Sequence, residues 1–468
     1  MIAQGLFRFS RIGAAILLFA GIAPAQVDWK AQQAETLKHF QALVRIDSSS
    51  PPGNESKVAD YLRKVLEAEG IPTQTFAKDP ARANLVARIK GSGRKRPLLI
   101  MAHTDVVGVQ RDKWPVDPFG AVLQGGYVWG RGTTDDKDKL VSNLMTMLLL
   151  KRSGLALDRD VIFLAEAGEE GTTSVGIDFM VQQHFPEIEA EFALTEGGYA
   201  TLQNGSISAI RVATAEKVPR GATLVATGTS GHGSMPRLDN PLIHLSQAIA
   251  KLAAWEPPMQ LNDTTRMYFE RLASISDAES KARYNGLTDP ARSGAIQQYF
   301  ARNELDHYSM LRTSVVPTII NAGFRSNVIP SQAEARLDIR AVPGEDMPRF
   351  FERMSAVIGD SAVKIVPAAE GRPDAGASKL DNEMFRALER VGKQMYPQAV
   401  TLPYMTTGAT DMAQLRAKGV QCYGIGPAVT LEDFTEHWWH SDVEHISEAS
   451  VYQLAEYTYR VVSEIARR

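Results

Sequence analysis

A few short strings hold the residues whose types and spacing could do chemistry, and carboxylates and imidazoles dominate all of them. His103-Thr-Asp105 follows directly on the apolar run Pro97–Ala102. In an extended segment residues two apart face the same way, so one can hold a cation while the other fixes the imidazole through its second nitrogen. Trp129-Gly-Arg-Gly-Thr-Thr-Asp135-Asp136-Lys137 stands at the entrance to a helix. Its acids could be mere partners of the helix N-terminus, or Asp135 could bridge two cations. A phosphate loop is the wrong reading, because acids crowd the turn where amides and a Lys-Ser/Thr pair belong. Glu166-Ala-Gly-Glu169-Glu170 ends the apolar run Val161–Ala165, where burying like charges is costly without a cation. Glu196 ends a further strand-like stretch, Phe192–Thr195. Near the C-terminus, His437-Trp-Trp-His440-Ser-Asp-Val-Glu444-His445 adds imidazoles without the His-Glu-x-x-His spacing or its inverse. His440 is the preferred ligand; for His437 and His445 a satisfied structural role weighs more.

The elements that must position these groups alternate. Trp29–Val44 and Ser56–Glu69 have helical spacing of apolar residues, separated by the loop Ser48–Gly53. Asn84–Lys90, Pro97–Ala102 and Val161–Ala165 read as strands, the last two buried on both faces, with a helix over Asp138–Lys151 between them. That alternation predicts an α/β fold with a mostly parallel sheet covered on both sides, its ligands at the carboxyl ends of the strands. From Gly221 the texture changes: strand Ala222–Ala226, helix Pro241–Ala254, strands Thr318–Phe324 and Ala333–Ile339, helix Met347–Ile358 and strand Ala362–Val366. We expect a catalytic domain in two parts, 26–214 and 371–468, around a smaller α+β lid over 215–370. Within the lid, 257–312 is a polar, charge-mixed and helical insertion. Asn382–Met395 and Ser447–Ala466 return to the first domain as helices, with Ser447 as an N-cap.

Bulk properties narrow the class. The chain has 468 residues and a formal charge of −3, which gives no reason to invoke nucleic acid or anionic lipid. Arg8 and Arg11 precede the apolar run Ile12–Ile22, and Ala23-Pro24-Ala25 supplies a small-residue cleavage signature. Residues 1–25 therefore read as a secretory signal peptide, giving a periplasmic or secreted protein, and no later segment reads as a membrane span. Cys422 is the only cysteine, which excludes an intrachain disulfide and any Cys-type zinc site.

Taken together and in order, His103-x-Asp105, Gly130-Arg-Gly-Thr-Thr-Asp135-Asp-Lys137, Glu169-Glu170, Glu196 and His440 resemble the co-catalytic di-zinc peptidase family of glutamate carboxypeptidase, succinyl-diaminopimelate desuccinylase, aminoacylase and Gly-X carboxypeptidase. The resemblance runs from about His103 to Glu444. It implies two zinc ions with Asp135 bridging, His103 and Glu196 completing one site and Glu170 and His440 the other. Asp105 then orients His103, Glu169 is the general base, and the Asp135–Asp136 peptide is cis. His232, in Gly231-His-Gly-Ser-Met-Pro236, steadies the oxyanion; Asn327 binds substrate and Arg340 clamps its carboxylate. The lid makes a homodimer, and the oxyanion histidine can come from the partner subunit. The implied reaction is hydrolysis of an amide bond adjacent to a free carboxylate in a small peptide. N-acyl-amino-acid hydrolysis or synthesis by the same site, and peptide capture without catalysis, are the alternatives. Asp138, Gly168 and Thr195 depart from the family pattern at positions where glycine, Asp and Asn are frequent, and none removes an implied ligand. A serine nucleophile fits less well, because the glycines around Ser230 and Ser234 do not form Gly-x-Ser-x-Gly.

Overall fold

A computed structural model of the chain describes residues 27–369, 371–437 and 439–468. The signal peptide expected over residues 1–25 lies outside the described residues, among which no helix is long and apolar enough to cross a membrane. Continuous apolar runs become buried strands: Leu98–His103, Val161–Glu166 and Phe192–Thr195 are buried at every position. They lie side by side and parallel, Leu98–His103 in the middle, with His103 in register with Glu166. Three neighbouring strands thus end at one edge, each followed by residues singled out above.

The sheet continues on both sides to ten strands. Beyond Val161–Glu166 lie Asn84–Ile89 and Thr73–Phe76, both antiparallel. On the other side Gln421–Gly424 pairs parallel with Phe192–Thr195, followed by Ser206–Glu216, Tyr199–Gln203 and Ala428–Val429. Val400–Thr406 runs parallel to Ser206–Glu216. The helix Lys137–Ser153 crosses one face with its first fourteen residues buried, packed with Glu448–Ala466 and Trp29–Val44. Ser447 caps the Glu448–Ala466 helix, accepting from the Ser450 N–H.

A second, antiparallel sheet is built from Val218–Pro219, Ala222–Thr227, Ser314–Ala322, Gln332–Ala341 and Val363–Pro367. Helices Pro241–Ala254 and Met347–Ile358 cover it, and Leu224, Leu245, Leu252, Ile339, Phe350 and Met354 form its own core. The 257–312 segment folds as helices Asp263–Ile275, Ala278–Asn285, Ser293–Asn303 and Leu305–Met310. Although it interrupts the lid in sequence, it buries Tyr268, Phe269, Leu272 and Phe300 with Leu402, Tyr404 and Met405 of the large sheet. The segment thus extends the larger domain's core rather than the lid's.

Candidate metal centre

Asp135 sits on the turn that delivers the chain into the Lys137–Ser153 helix, and its two carboxylate oxygens face two different imidazoles. Oδ1 lies 2.9 Å from His103 Nε2 and Oδ2 lies 3.2 Å from His440 Nε2. Glu196 Oε2 is 4.0 Å from His103 Nε2, and Glu170 Oε1 is 3.0 Å from His440 Nε2. The five residues therefore split into His103 with Glu196 and His440 with Glu170, with Asp135 between the pairs. The Asp135–Asp136 peptide is cis, as the resemblance implies. Asp136 also comes close, its Oδ2 accepting from the His103 backbone N–H at 3.3 Å, and with His103 and Glu196 it forms a possible ligand group. Among the described residues, only the Asp135 carboxylate makes a close contact with both imidazoles.

Electrostatics say that this arrangement wants cations. Burial raises Glu196 well above the usual carboxylate range, and the nearby Glu169 charge adds to it. Glu170 is raised by burial as well, against the opposing contact with His440. Burial opposes a charge on His103, yet Asp105 and Asp135 hold it well above its ordinary value. His440 is pushed up to about 10 by its contacts with Asp135 and Glu170. Without metal, protons on the imidazoles do the neutralising; divalent ions would replace them. Imidazole nitrogens with carboxylate oxygens are a donor set that suits zinc and its first-row neighbours, and the residues present fit two such ions.

Supporting contacts explain how the loops hold. His103 directs Nδ1 at the Asp105 carbonyl oxygen, 3.0 Å away, with the Asp105 carboxylate at 3.6 Å. That carboxylate is spent mainly elsewhere: it accepts from the backbone N–H groups of Gly168 at 2.9 Å, Glu169 at 3.2 Å and Glu170 at 3.1 Å. Asp105 thus fixes the loop carrying Glu169 and Glu170 as well as the imidazole. Gly168 has φ 78°, and a Cβ there would lie 2.6 Å from the Thr172 carbonyl oxygen, so glycine at this departure from the family pattern has a local cause. Glu444, fully buried, accepts from Arg131 Nη1 at 2.7 Å, Thr134 N at 2.8 Å and Thr134 Oγ1 at 3.0 Å. It ties the Asp135 turn to the His440 loop. His440 itself has φ 63°, unusual for a residue with a side chain.

Glu169 stands beside the cluster in an ion pair that sequence reasoning missed. Arg372 Nη2 donates to its Oε1 at 2.6 Å while Nη1 donates to Asp411 at 2.8 Å. Neither residue carried a signal: Arg372 lies in a polar return segment, and Asp411 in a Thr-Gly-Ala-Thr run with no apolar period. Glu444 was visible within the histidine string but nothing there told its function.

The lid residues are not drawn into this cluster: among the described residues, no hydrogen bond or ion pair joins His232, Asn327 or Arg340 to it. His232 and Asn327 do meet each other's strand, since Gly231–His232 pairs with Val328–Ile329 and the Gly233 N–H donates to the Asn327 carbonyl at 2.9 Å. His232 is exposed, its Nδ1 2.7 Å from Ser234 Oγ. Arg340 is engaged by Asp338 two residues earlier on the same face, at 2.7 and 3.2 Å. Lys217, in the field of Arg340, is pushed down to about 7 by burial and by that neighbouring charge.

A parallel sheet that gathers imidazoles and acids around one shared aspartate at its strand ends defines a metal-dependent hydrolase centre. Residues 99–464 match Peptidase family M20/M25/M40, and the chain belongs to that family. It is accordingly a metal-dependent peptidase or amidohydrolase. Similar proteins include "Probable carboxypeptidase S-like 2" of Dictyostelium discoideum, 28% identical over 393 residues, covering 82% of this chain and 74% of the relative. "N-fatty-acyl-amino acid synthase/hydrolase PM20D1" of Homo sapiens is 26% identical over 395 residues, covering 81% and 76%. Among solved structures, the M20 family metallo-carboxypeptidase Sso-CP2 from Sulfolobus solfataricus superposes with a TM-score of 0.68 at 20% identity, covering 92% of this chain and 98% of that one.

Proposed function

We propose that this chain hydrolyses an amide bond adjacent to a free carboxylate, as a zinc-loaded, exported homodimer. The observation that carries the reading is the Asp135 carboxylate lying between His103 and His440, each imidazole with its own glutamate. When bound, a pair of divalent ions supplies a water that is acidic at neutral pH and polarises the substrate carbonyl. Glu169, outside the ligand set, accepts the proton of that water and returns it to the departing nitrogen. His232 donates to the oxygen on which charge develops, a contribution commonly worth about 2.7–4 kcal/mol per donor. Arg340 presents a planar fork to the substrate carboxylate, which has to displace Asp338 from it. Because no hydrogen bond or ion pair joins His232 or Arg340 to the Asp135 cluster among the described residues, the reading includes closure of the lid over substrate before chemistry. The terminal Arg8, Arg11 and Ile12–Ile22 pattern supports export, and the largely exposed lid strand Ser314–Ala322 supports the dimer.

The second reading, an N-acyl-amino-acid hydrolase or synthase, is favoured by the human relative's name and uses the same site, since such substrates also place an amide next to a carboxylate. A screen of dipeptides and N-acyl amino acids, with chelator and with added zinc, separates the two. Glu169→Gln is expected to lower kcat by about 10²–10⁴-fold with metal content retained. Full activity of that variant, or indifference to a chelator, would remove the reading altogether. Blocking the carboxylate of the best substrate should abolish its turnover; if it does not, Arg340 is not the clamp.

A further inference from the structure

Away from the Asp135 cluster, imidazoles and a carboxylate converge a second time. Asp433, His437 and His445 each offer a ligand atom, and these atoms lie within 4.8 Å of one another. Asp433 belongs to the short helix Leu431–Glu436, His437 is its C-cap, and His445 begins the strand His445–Ser447 that pairs with Tyr127–Trp129. Ordinary structural duties account for part of this. Asp433 Oδ2 closes a capping box, accepting from the Thr430 N–H at 3.1 Å and its hydroxyl at 2.8 Å. His445 packs on Trp129, ring centroids 4.1 Å apart, and on His437 at 4.5 Å.

His445 Nδ1 lies 2.8 Å from the Val443 carbonyl oxygen, so Nδ1 carries the proton and donates, leaving the Nε2 lone pair free. A ring nitrogen anchored on a carbonyl while the other is presented outward is the usual arrangement of a metal-binding histidine, and His103 shows the same anchoring here. That Nε2 faces Asp433 Oδ1, the oxygen the capping box does not use, at 3.9 Å. His437 Nδ1 is buried and has no hydrogen-bond partner among the described residues. A buried nitrogen left unsatisfied is uncommon enough to ask for an unseen partner such as an ion.

We propose that Asp433, His437 and His445 hold a further divalent transition-metal ion, zinc by donor type, which clamps together the two ends of the loop that carries His440. Two imidazoles and one carboxylate leave a fourth tetrahedral position to water, and the donors need only close from at most 4.8 Å to roughly 3.3 Å apart. The clamp has an evident use. His440 holds a left-handed backbone at the middle of that loop, and such a conformation persists only where the surroundings over-determine it. Arg131, donating to the carbonyls of His440 at 3.3 Å and Ser441 at 3.1 Å, fixes one side; the ion would fix the loop's two ends. The role is structural, and the ion contacts no substrate.

Metal content tests this directly. The purified full-length protein is stripped with a chelator, reloaded with excess zinc, desalted and its zinc counted per chain by mass spectrometry. His437→Ala and Asp433→Asn are each expected to bind one equivalent fewer than the unaltered protein, and His445→Gln likewise. Because the readout is a difference, it stands however many ions the Asp135 cluster takes, and it should persist when Asp135→Ala is added to each chain. Equal zinc in the unaltered protein and in folded His437→Ala and Asp433→Asn overturns the proposal. So does loss in His437→Ala without loss in Asp433→Asn or His445→Gln, since that pattern places the ion on Glu432 and Glu436, which also lie near His437.

Discussion

At the scale of single residues, the contact that most needs explanation is Arg372 on Glu169. The proposed base Glu169 is held 2.6 Å from a guanidinium that fixes where its carboxylate points, and the same guanidinium also holds the buried Asp411. Burial pushes Asp411 up to about 7 even against the opposing charge of Arg372. Arg372 is therefore a positioning residue that sets the direction of Glu169. Arg372→Gln should lower kcat by about 10²-fold through misplacement of Glu169, with KM and zinc content unchanged. A kcat equal to that of the unaltered enzyme would show that the pair is only scaffolding. The site was legible in sequence where its members end apolar strands, as His103, Glu170 and Glu196 do, because an acid or imidazole there has no cheap burial without a partner. It was illegible where the partner arrives from a polar return segment, as Arg372 does, or serves backbone amides, as the Asp105 carboxylate does. Neither contact leaves a periodic trace in the chain.

Secondary-structure elements show the same division. Helices Trp29–Val44, Pro241–Ala254 and Met347–Ile358 stand where their apolar spacing puts them, and Leu98–His103 and Val161–Glu166 where continuous apolar runs do. The strand pair Tyr199–Gln203 and Ser206–Glu216 escaped notice, being rich in Ala and Ser, which carry little strand preference. Val400–Thr406 contains Pro403, an argument against a strand except at an edge, and its pairing is with Ser206–Glu216 alone. Sequence order puts the 257–312 helices within the lid, whereas they attach to the large sheet, because that attachment depends on contacts with this edge. A buried polar group lies inside the attachment. His307 Nδ1 is 2.5 Å from Glu304 Oε2 and Nε2 is 3.0 Å from Tyr268 Oη. Burial opposes its charge, but Tyr268, Glu304 and Asp306 outweigh burial and push it up to about 9. A histidine raised above its unfolded value of about 6.5 adds stability that is complete below that pH. The contribution is lost as pH rises through about 9. Urea unfolding at pH 6 and pH 10 should therefore differ between the unaltered protein and His307→Gln, the variant lacking a stabilisation on the order of 2–3 kcal/mol at the lower pH only. Parallel stability curves for the two proteins would show that His307 is neutral throughout.

For the whole molecule, the question is how His232 and Arg340, which no hydrogen bond or ion pair joins to the Asp135 cluster among the described residues, come to act there. The lid strand Ser314–Ala322 pairs only with Gln332–Ala341 among the described residues, leaving its other edge open. Side chains on and beside it are apolar and exposed: Ile320 is 60% and Phe324 83% accessible. An open strand edge with exposed apolar side chains invites pairing with another chain, and two copies meeting edge to edge about a twofold axis would close it. Such a dimer would carry each exposed His232 toward its partner, so the oxyanion donor would be supplied across the interface, as the family resemblance implies. The consequence is measurable by complementation. Glu169→Gln and His232→Ala chains, each nearly inactive alone, are mixed after reversible dissociation. Random pairing makes half of the dimers mixed, and one site in each has both an intact Glu169 and an intact His232. The mixture should recover about a quarter of the unaltered activity. The same experiment with Ile320→Lys added to both chains should recover none and should run as monomer in sedimentation, since a charge on the open edge blocks pairing. If mixed dimers form, verified by a tag on one chain, and activity stays at the level of the single variants, then each chain's own lid must swing to its own centre.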